Sequence, residues 1–358
     1  MNRSLSPLVV VSIFLASTFF PSLRVEAAGG DWIIAASHPN LVYVIDGTTD
    51  EIVREIPLSG PGYPYQIAID PPRRRAYVIT NKWESIAIVD LDAGREIGTI
   101  ELSHGAERVK AMALAVHPSG ERLYVYEAPT RLGLDRLEVQ PTRLEEFELS
   151  TKKSLRTIMM PRQVTILAFA PDGGKLYAFA QDAYVIDLQR GRVTETIPLK
   201  HVGITGWGEP DILSVWPNDE QTRVISLVYS VENRIKPDAP LLGIVNVDLA
   251  TGSTEWIELE TVHRIMFSSV ISPSRKKAYV VYTTLSRVDL EKKRLERTVD
   301  LDHTYYVVNI SSDGKKLYIG GAQPDIAVVD AESLKVIKKI KLRGDQSIAS
   351  LRVMTIGR

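Results

Sequence analysis

The residues in this chain most able to bind a metal or move a proton are six histidines: His38, His104, His117, His201, His263 and His303. They are dispersed, and no H-x-H or H-x-x-x-H pair occurs, so spacing assigns no metal site. His117 lies in His117-Pro118-Ser119-Gly120 and His38 precedes Pro39, contexts that suit loop roles. His263 and His303 each open what reads as a strand. The run His303-Thr304-Tyr305-Tyr306 sets a titratable ring beside two phenols, which suits either contact with a partner or a satisfied hydrogen-bonding cluster. Glu127, Arg131, Asp135, Arg136, Glu138 and Arg143 form a charged group that reads as an ion-paired interface or a solvated loop. Trp83, within Asn81-Lys82-Trp83-Glu84-Ser85, fits an interface anchor or a ring packed under its own loop. No G-x-S-x-G elbow, phosphate-binding loop or dinucleotide fingerprint is present. The candidate partner-contact residues are therefore Trp83, Arg131, Arg136, Arg143, His303, Tyr305 and Tyr306. No catalytic, cofactor-binding or metal-binding residue is assigned.

The elements that would position these residues are repeated. Asn309 to Asp330 (NISSDGKKLYIGGAQPDIAVVD) reads as a strand, a Ser-Asp-Gly turn, a second strand and a third strand ending on Asp. The ending recurs at Asp46, Asp90, Asp187, Asp248, Asp289 and Asp330, with Glu146-Phe147-Glu148 as a degraded copy. From Asp46 to Asp330 is 284 positions over six steps, about 47 per step, the length of a four-stranded propeller blade with its loops. The turn recurs as well, at Asp70-Pro71-Pro72-Arg73, His117 to Gly120, Ala170-Pro171-Asp172-Gly173, Trp216-Pro217-Asn218-Asp219, Ser272-Pro273-Ser274-Arg275 and Ser311-Ser312-Asp313-Gly314. Tyr77, Tyr124, Tyr177, Tyr279 and Tyr318 follow these turns, as a repeated buried wedge would. An Asp present in nearly every repeat has a repeat-level task, such as capping the turn to an outer strand, rather than a catalytic one.

The ends do not match. Asp31-Trp32-Ile33-Ile34 already looks like a second strand, while Ser347 to Ile356 (SIASLRVMTI) resembles a spare inner one. The sequence thus predicts an all-β fold: a seven-bladed β-propeller of four-stranded blades, closed by the C-terminal strand pairing with the N-terminal strands. Two blades carry extra residues between their second and third strands, Ala128 to Pro141 in the third and Ser230 to Pro240 in the fifth. Both insertions should emerge on one face, which also carries Trp83, and lengthened loops on one rim suit partner binding or simple surface growth.

Residues 1–27 differ from the rest: Arg3, the apolar run Leu8 to Phe20, then Val25-Glu26-Ala27. This is the pattern of a cleaved export signal, leaving residues 28–358 as the propeller, with no membrane contact after cleavage. With 43 Lys+Arg against 44 Asp+Glu, the chain has no basic field for nucleic acid. It has no Cys, which excludes disulfides, thiolate metal sites, covalent c-type haem and thioether-linked quinones within it.

Several stretches carry a resemblance. The Tyr-Val and Val-Val-Asp pattern is similar to YVTN-type β-propellers. Asn81 to Leu91 (NKWESIAIVDL), Glu127 to Arg143 (EAPTRLGLDRLEVQPTR), Pro161 to Thr165, Glu209 to Leu213 with Val215-Trp216, and His303 to Gly321 resemble the beta subunit of quinohemoprotein amine dehydrogenase. The methylamine dehydrogenase heavy chain is a more distant look-alike. The resemblance runs from about Trp32 to the C-terminus. It implies a periplasmic heterotrimer that deaminates primary amines oxidatively, with two c-type haems on an alpha subunit and cysteine tryptophylquinone on a small gamma subunit. The beta propeller then carries no cofactor, buries the quinone subunit and walls the substrate approach. Trp83 and Trp207 have no role in that family pattern. The alternative is a stand-alone propeller hydrolase of lactonase type or a periplasmic binding propeller. A hydrolase would need a His, Arg or carboxylate set converging in the channel, or a metal with oxygen ligands there.

Overall fold

Runs such as Leu-Val-Tyr-Val-Ile-Asp at Leu41–Asp46 and Ser-Ile-Ala-Ile-Val-Asp at Ser85–Asp90 are rich in β-branched and other apolar residues up to the closing Asp, as strands covered on both faces are. A computed structural model of the chain describes residues 30–200, 205–236, 240–259, 265–346 and 349–357. His201, His263 and the proposed export signal lie outside the described residues. The described residues form seven antiparallel sheets, each ordered inner, second, third and outer strand. The first blade takes its inner strand, Leu351–Ile356, from the C-terminus and continues with Gly30–Ser37, Leu41–Asp46 and Glu51–Pro57. Gly30 faces Ile356 and Ala35 faces Leu351, so the last strand closes the ring as expected.

The six other blades follow in chain order, with inner strands Ile67–Asp70, Glu107–Val116, Ile166–Phe169, Asp211–Leu213, Ser268–Ile271 and Val307–Ile310. The core is not one mass but seven slabs, one between each pair of neighbouring blades. The slab between the last blade and the first holds Tyr318, Val328 and Ile326 against Ile33, Tyr43 and Val353. The expected wedge residues Tyr77, Tyr124, Tyr177, Tyr279 and Tyr318 are all buried in these slabs.

The repeated Asp does the capping its recurrence implied. Its Oδ1 accepts from the backbone N–H two or three residues on: Thr48 and Thr49 for Asp46, Ala93 for Asp90, Arg190 for Asp187, Ala250 and Thr251 for Asp248, Lys292 for Asp289 and Ser333 for Asp330. These bonds favour the ionised form and hold the carboxyls of Asp187, Asp289 and Asp330 below the usual range, with the Ser333 hydroxyl the largest cause at Asp330. Immediately before the Asp, six of the seven third-to-outer pairings shift register by a bulge, which turns the outer strand more steeply.

One repeat departs from expectation. Trp216-Pro217-Asn218-Asp219 reads as a turn copy, but only Asp219 belongs to the turn, where its carbonyl accepts from the Thr222 and Arg223 N–H groups. The inner strand of the fifth blade pairs for three residues, Asp211–Leu213, and then leaves its sheet to cross the central channel. Gln66 Nε2 donates to the Val215 carbonyl at 2.8 Å, Thr165 Oγ1 donates to the Ser214 carbonyl, and Asn218 Nδ2 donates to the Val308 carbonyl at 2.7 Å. Arg352 donates to the Pro217 carbonyl and sits 2.6 Å from Glu220, which also takes Asn309 Nδ2 at 3.2 Å. Side chains from the inner strands, or the residue just ahead of them, in the first, second, fourth and last blades thus hold Ser214 to Gln221 as a plug. Pro217 and Asn218 explain the departure: Pro cannot donate to a ladder and Asn bonds readily outside one.

Candidate partner-binding face

Connections from second to third strands, and from each outer strand to the next blade, emerge on the same face because every pairing is antiparallel. That face carries both insertions. In the third blade the second strand, Arg122–Leu132, outruns its pairing with the third strand, Arg143–Glu148, which ends at Glu127. Its last residues are flanked instead by Glu107 and Arg108 of the inner strand and by a short return strand, Leu137–Val139. The result is a three-stranded arm. Its turn is closed by Gly133 N–H donating to the Arg136 carbonyl at 2.8 Å.

Alternation sorts the arm's side chains. Leu132 and Leu137 are cross-strand partners and share a side with Val139, two residues on. All three are exposed, Leu137 at 70% and Val139 at 64%, and Leu134 at the tip is fully exposed. Arg131 is exposed on the arm, and Arg136 ion-pairs with Glu138 at 3.0 Å. Arg143 does something different. It is a strut at the arm's base, 2.8 Å from both Glu127 and Glu107 and 3.7 Å from Glu145, and its side chain stays partly exposed. Glu127 is buried. Burial pushes its carboxyl up to about 7 although Arg143 pulls the other way, with Glu145 and Glu107 adding to the rise.

The fifth-blade insertion is an extension of Val224–Val231 into an Asn turn: Asn233 Oδ1 accepts from Ile235 N–H at 3.1 Å and Lys236 N–H at 3.0 Å. Ile235 is left 76% exposed at its end. Residues 237–239 of the insertion lie outside the described residues. Trp207 bridges to Asn233 and packs by Tyr229, which gives it a structural place.

Trp83 is half-buried, with its ring 5.0 Å from that of Tyr65 and its carbonyl accepting from Ala111 N–H. It packs under its loop and stays partly exposed. Tyr305 is fully buried. Its hydroxyl donates to Asp302 at 3.2 Å and to Asp325 at 3.3 Å, and burial beside those two carboxylates pushes the phenol far up. His303 stands over Tyr305 with ring centroids 4.0 Å apart. Its Nε2 faces Asp325 at 3.0 Å and its Nδ1 faces the Thr304 carbonyl at 2.8 Å. Lys339, paired to Asp302 and to Asp325, completes the cluster.

Tyr306 points elsewhere, into a group of rings drawn from distant parts of the chain. It stacks on Phe267 at 4.8 Å and lies near Tyr282 and Trp216, the ring carried by the channel plug. Phe267 stacks on Tyr282 at 4.8 Å. Of the seven expected contact residues, then, Arg131 and Arg136 are exposed on the arm, Trp83, Arg143, His303 and Tyr306 are partly exposed, and Tyr305 is buried. The exposed apolar residues Leu134, Leu137, Val139, Ile235 and Ile265 were not singled out from sequence. Apolar residues placed among the charges of the first insertion were the available signal.

No group of three or more His, Cys, Asp or Glu able to hold a metal occurs among the described residues. No described helix is long and apolar enough to cross a membrane.

No protein-family model and no curated protein matches the sequence. Solved structures do. The chain is similar to hydrazine synthase of Kuenenia stuttgartiensis, with a TM-score of 0.59 and 16% identity over 86% of this chain and 90% of that one. It is similar to the dihydro-heme d1 dehydrogenase NirN in complex with DHE, with a TM-score of 0.55 and 15% identity over 91% of this chain and 76% of that one. A protein of unknown function from Desulfotomaculum acetoxidans gives 0.59 and 13% identity over 92% of this chain and 100% of that one. At these identities the likeness establishes the propeller fold alone.

Proposed function

We propose that this chain is a non-catalytic scaffold: the beta subunit of a periplasmic quinohemoprotein amine dehydrogenase, exported by residues 1–27. On its insertion-bearing face it docks the small gamma subunit that carries cysteine tryptophylquinone. The alpha subunit with two c-type haems joins the same assembly, and a primary amine reaches the quinone at the subunit boundary. The observation that carries the reading is where apolar surface is left uncovered. Seven of the eleven exposed large hydrophobic side chains among the described residues (Tyr63, Leu132, Leu134, Leu137, Val139, Ile235 and Ile265) lie on the connections of that one face. Apolar surface gathered on one rim and edged by arginines fits a protein partner. The sequence resemblance set out above supplies that partner's chemistry, and the lack of Cys agrees with a division of labour in which other chains hold haem and quinone.

The test is affinity purification of the tagged chain from its native host. Haem-staining and quinone-staining partners, with amine-dependent dye reduction, are the expected result. A monomer that hydrolyses lactones or esters would replace this reading with the hydrolase one. The channel does bring Arg352, Asp219 and Glu220 together. Glu220, however, is engaged by Arg352, Asn309 and the Val353 N–H, which leaves it poorly placed to activate water.

A further inference from the structure

The arm on the third blade leaves one sheet edge open. Beyond Glu127, the lane beside the second strand passes from the third strand, Arg143–Glu148, to the return strand Leu137–Val139, while the inner strand keeps the opposite side throughout. The next lane out belongs to the outer strand, Lys153–Met159, which stops level with the arm's base where Met159 faces Arg143. Met160 N–H still donates to the Thr142 carbonyl at 3.1 Å, but the Pro161 carbonyl already accepts from the Tyr126 hydroxyl at 3.0 Å as the chain crosses to the fourth blade. Among the described residues, no strand occupies the lane alongside Leu137–Val139.

Hydrogen-bond alternation fixes what faces that lane. Gly133 N–H donates to the Arg136 carbonyl at 2.8 Å and Gln140 N–H to the Pro129 carbonyl at 3.0 Å, so Arg136, Glu138 and Gln140 turn their backbone groups inward. Leu137 and Val139 therefore turn theirs outward. Their side chains share a side with Leu132, so the two residues that offer free N–H and C=O groups also offer apolar surface, 70% and 64% exposed. The outer strands of the blades are open edges as well, but they carry charges along their length, as in Arg294–Asp300 (RLERTVD), which blunts pairing. The arm's edge has Glu138 alone, on the other side of the strand and paired to Arg136.

We propose that the arm holds a partner by strand addition: an extended peptide segment, apolar at alternate positions, lies in the vacated lane, exchanges backbone hydrogen bonds with Leu137 and Val139, and packs beside Leu132, Leu137 and Val139. A second copy of the arm fits the lane poorly. Full overlap of two arms in antiparallel pairing places one Glu138 directly opposite the other, and like charges there oppose pairing. Strand addition here rests on the reading of this face as a docking surface and supplies its mode of contact.

The experiment presents a displayed library of short random peptides to the whole purified chain, after depletion on the Leu137→Asp variant. Selected peptides are expected to alternate apolar and polar residues. In calorimetric titration, Val139→Pro should weaken them by about tenfold, the worth of one or two hydrogen bonds, because it removes an outward N–H without touching an inward bond. Val139→Ile should bind as the parent does. With the parent chain, N-methyl groups along one edge of a synthetic peptide should abolish binding and those along the other edge should not. No peptide that depends on the arm, tolerance of N-methyl groups on both edges, or binding unchanged by Val139→Pro would each overturn strand addition. A dimer of the free chain that Val139→Pro dissolves in sedimentation would overturn it in favour of a second copy. Peptide selection uses no native subunit, so it can succeed where the quinone-bearing partner proves absent and fail where that partner is found.

Discussion

At the scale of single residues, the chemistry legible in the sequence was mostly spoken for inside the fold. Arg143, Tyr305 and Trp83 are residue types that anchor interfaces, and each is used internally here, because a long or ring-shaped polar side chain near a loop base packs as readily as it protrudes. Glu127 gives the sharpest test. Its folded pKa of about 7 lies above the ordinary value of 4.5, so the folded state holds the proton more tightly. The stability gained is fully present below pH 4.5 and is lost as pH rises through 7, a change on the order of 3 kcal/mol for one carboxyl. The capping Asp residues, whose carboxyls are held low, act with the opposite sign: their contribution is present above the ordinary Asp pKa and fades as the solution is acidified below it. The two effects occupy different pH windows. Glu127→Gln should therefore flatten the loss of chemical-denaturation stability between pH 4.5 and 7 and leave the acid limb unchanged. An unaltered slope across that window would show that Glu127 stays ionised against Arg143.

At the scale of elements, the repeat was readable because each blade reuses the same physical devices. Tyr318 and its counterparts fill the slab to the next blade, Asp330 and its counterparts cap the outer turn, and the unpaired Ser347 to Ile356 stretch announced the closure. The arm was readable only as extra length. Its strand character follows from the pairing of Leu132 with Leu137 across a Gly-containing turn, while its apolar side faces nothing in this chain. The plug was not readable, since Trp216-Pro217-Asn218-Asp219 imitates the turn signature of the other blades and only long-range bonds from Gln66, Thr165 and Arg352 reveal where it goes. For the arm we expect Leu134→Asp with Leu137→Asp to change stability by no more than about 0.5 kcal/mol, as exposed substitutions do, yet to release the partners in a pull-down. Retention of every partner by that variant would remove the arm from the interface.

At the scale of the whole molecule, the ring is held at one joint by a strand separated from its neighbours by nearly the full chain. Gly30 to Ala35 pairs with Leu351 to Ile356, and the slab beside that joint includes Leu351 and Val353. Deleting residues 349–358 would open a sheet edge and empty part of two slabs, so we expect no cooperative thermal unfolding; a truncated chain that melts like the parent would contradict the closure. Closure also keeps the two faces distinct, one with the arm and the exposed apolar side chains, the other with the turns around the channel. The first of these faces is proposed as a docking platform. Hydrogen–deuterium exchange, comparing the assembly isolated from the native host with the free chain, tests it most directly. The prediction is slowed exchange in the connections around residues 128–141, 232–236 and 265–267. Slowing confined to the opposite turns, or no difference between the two samples, would contradict it.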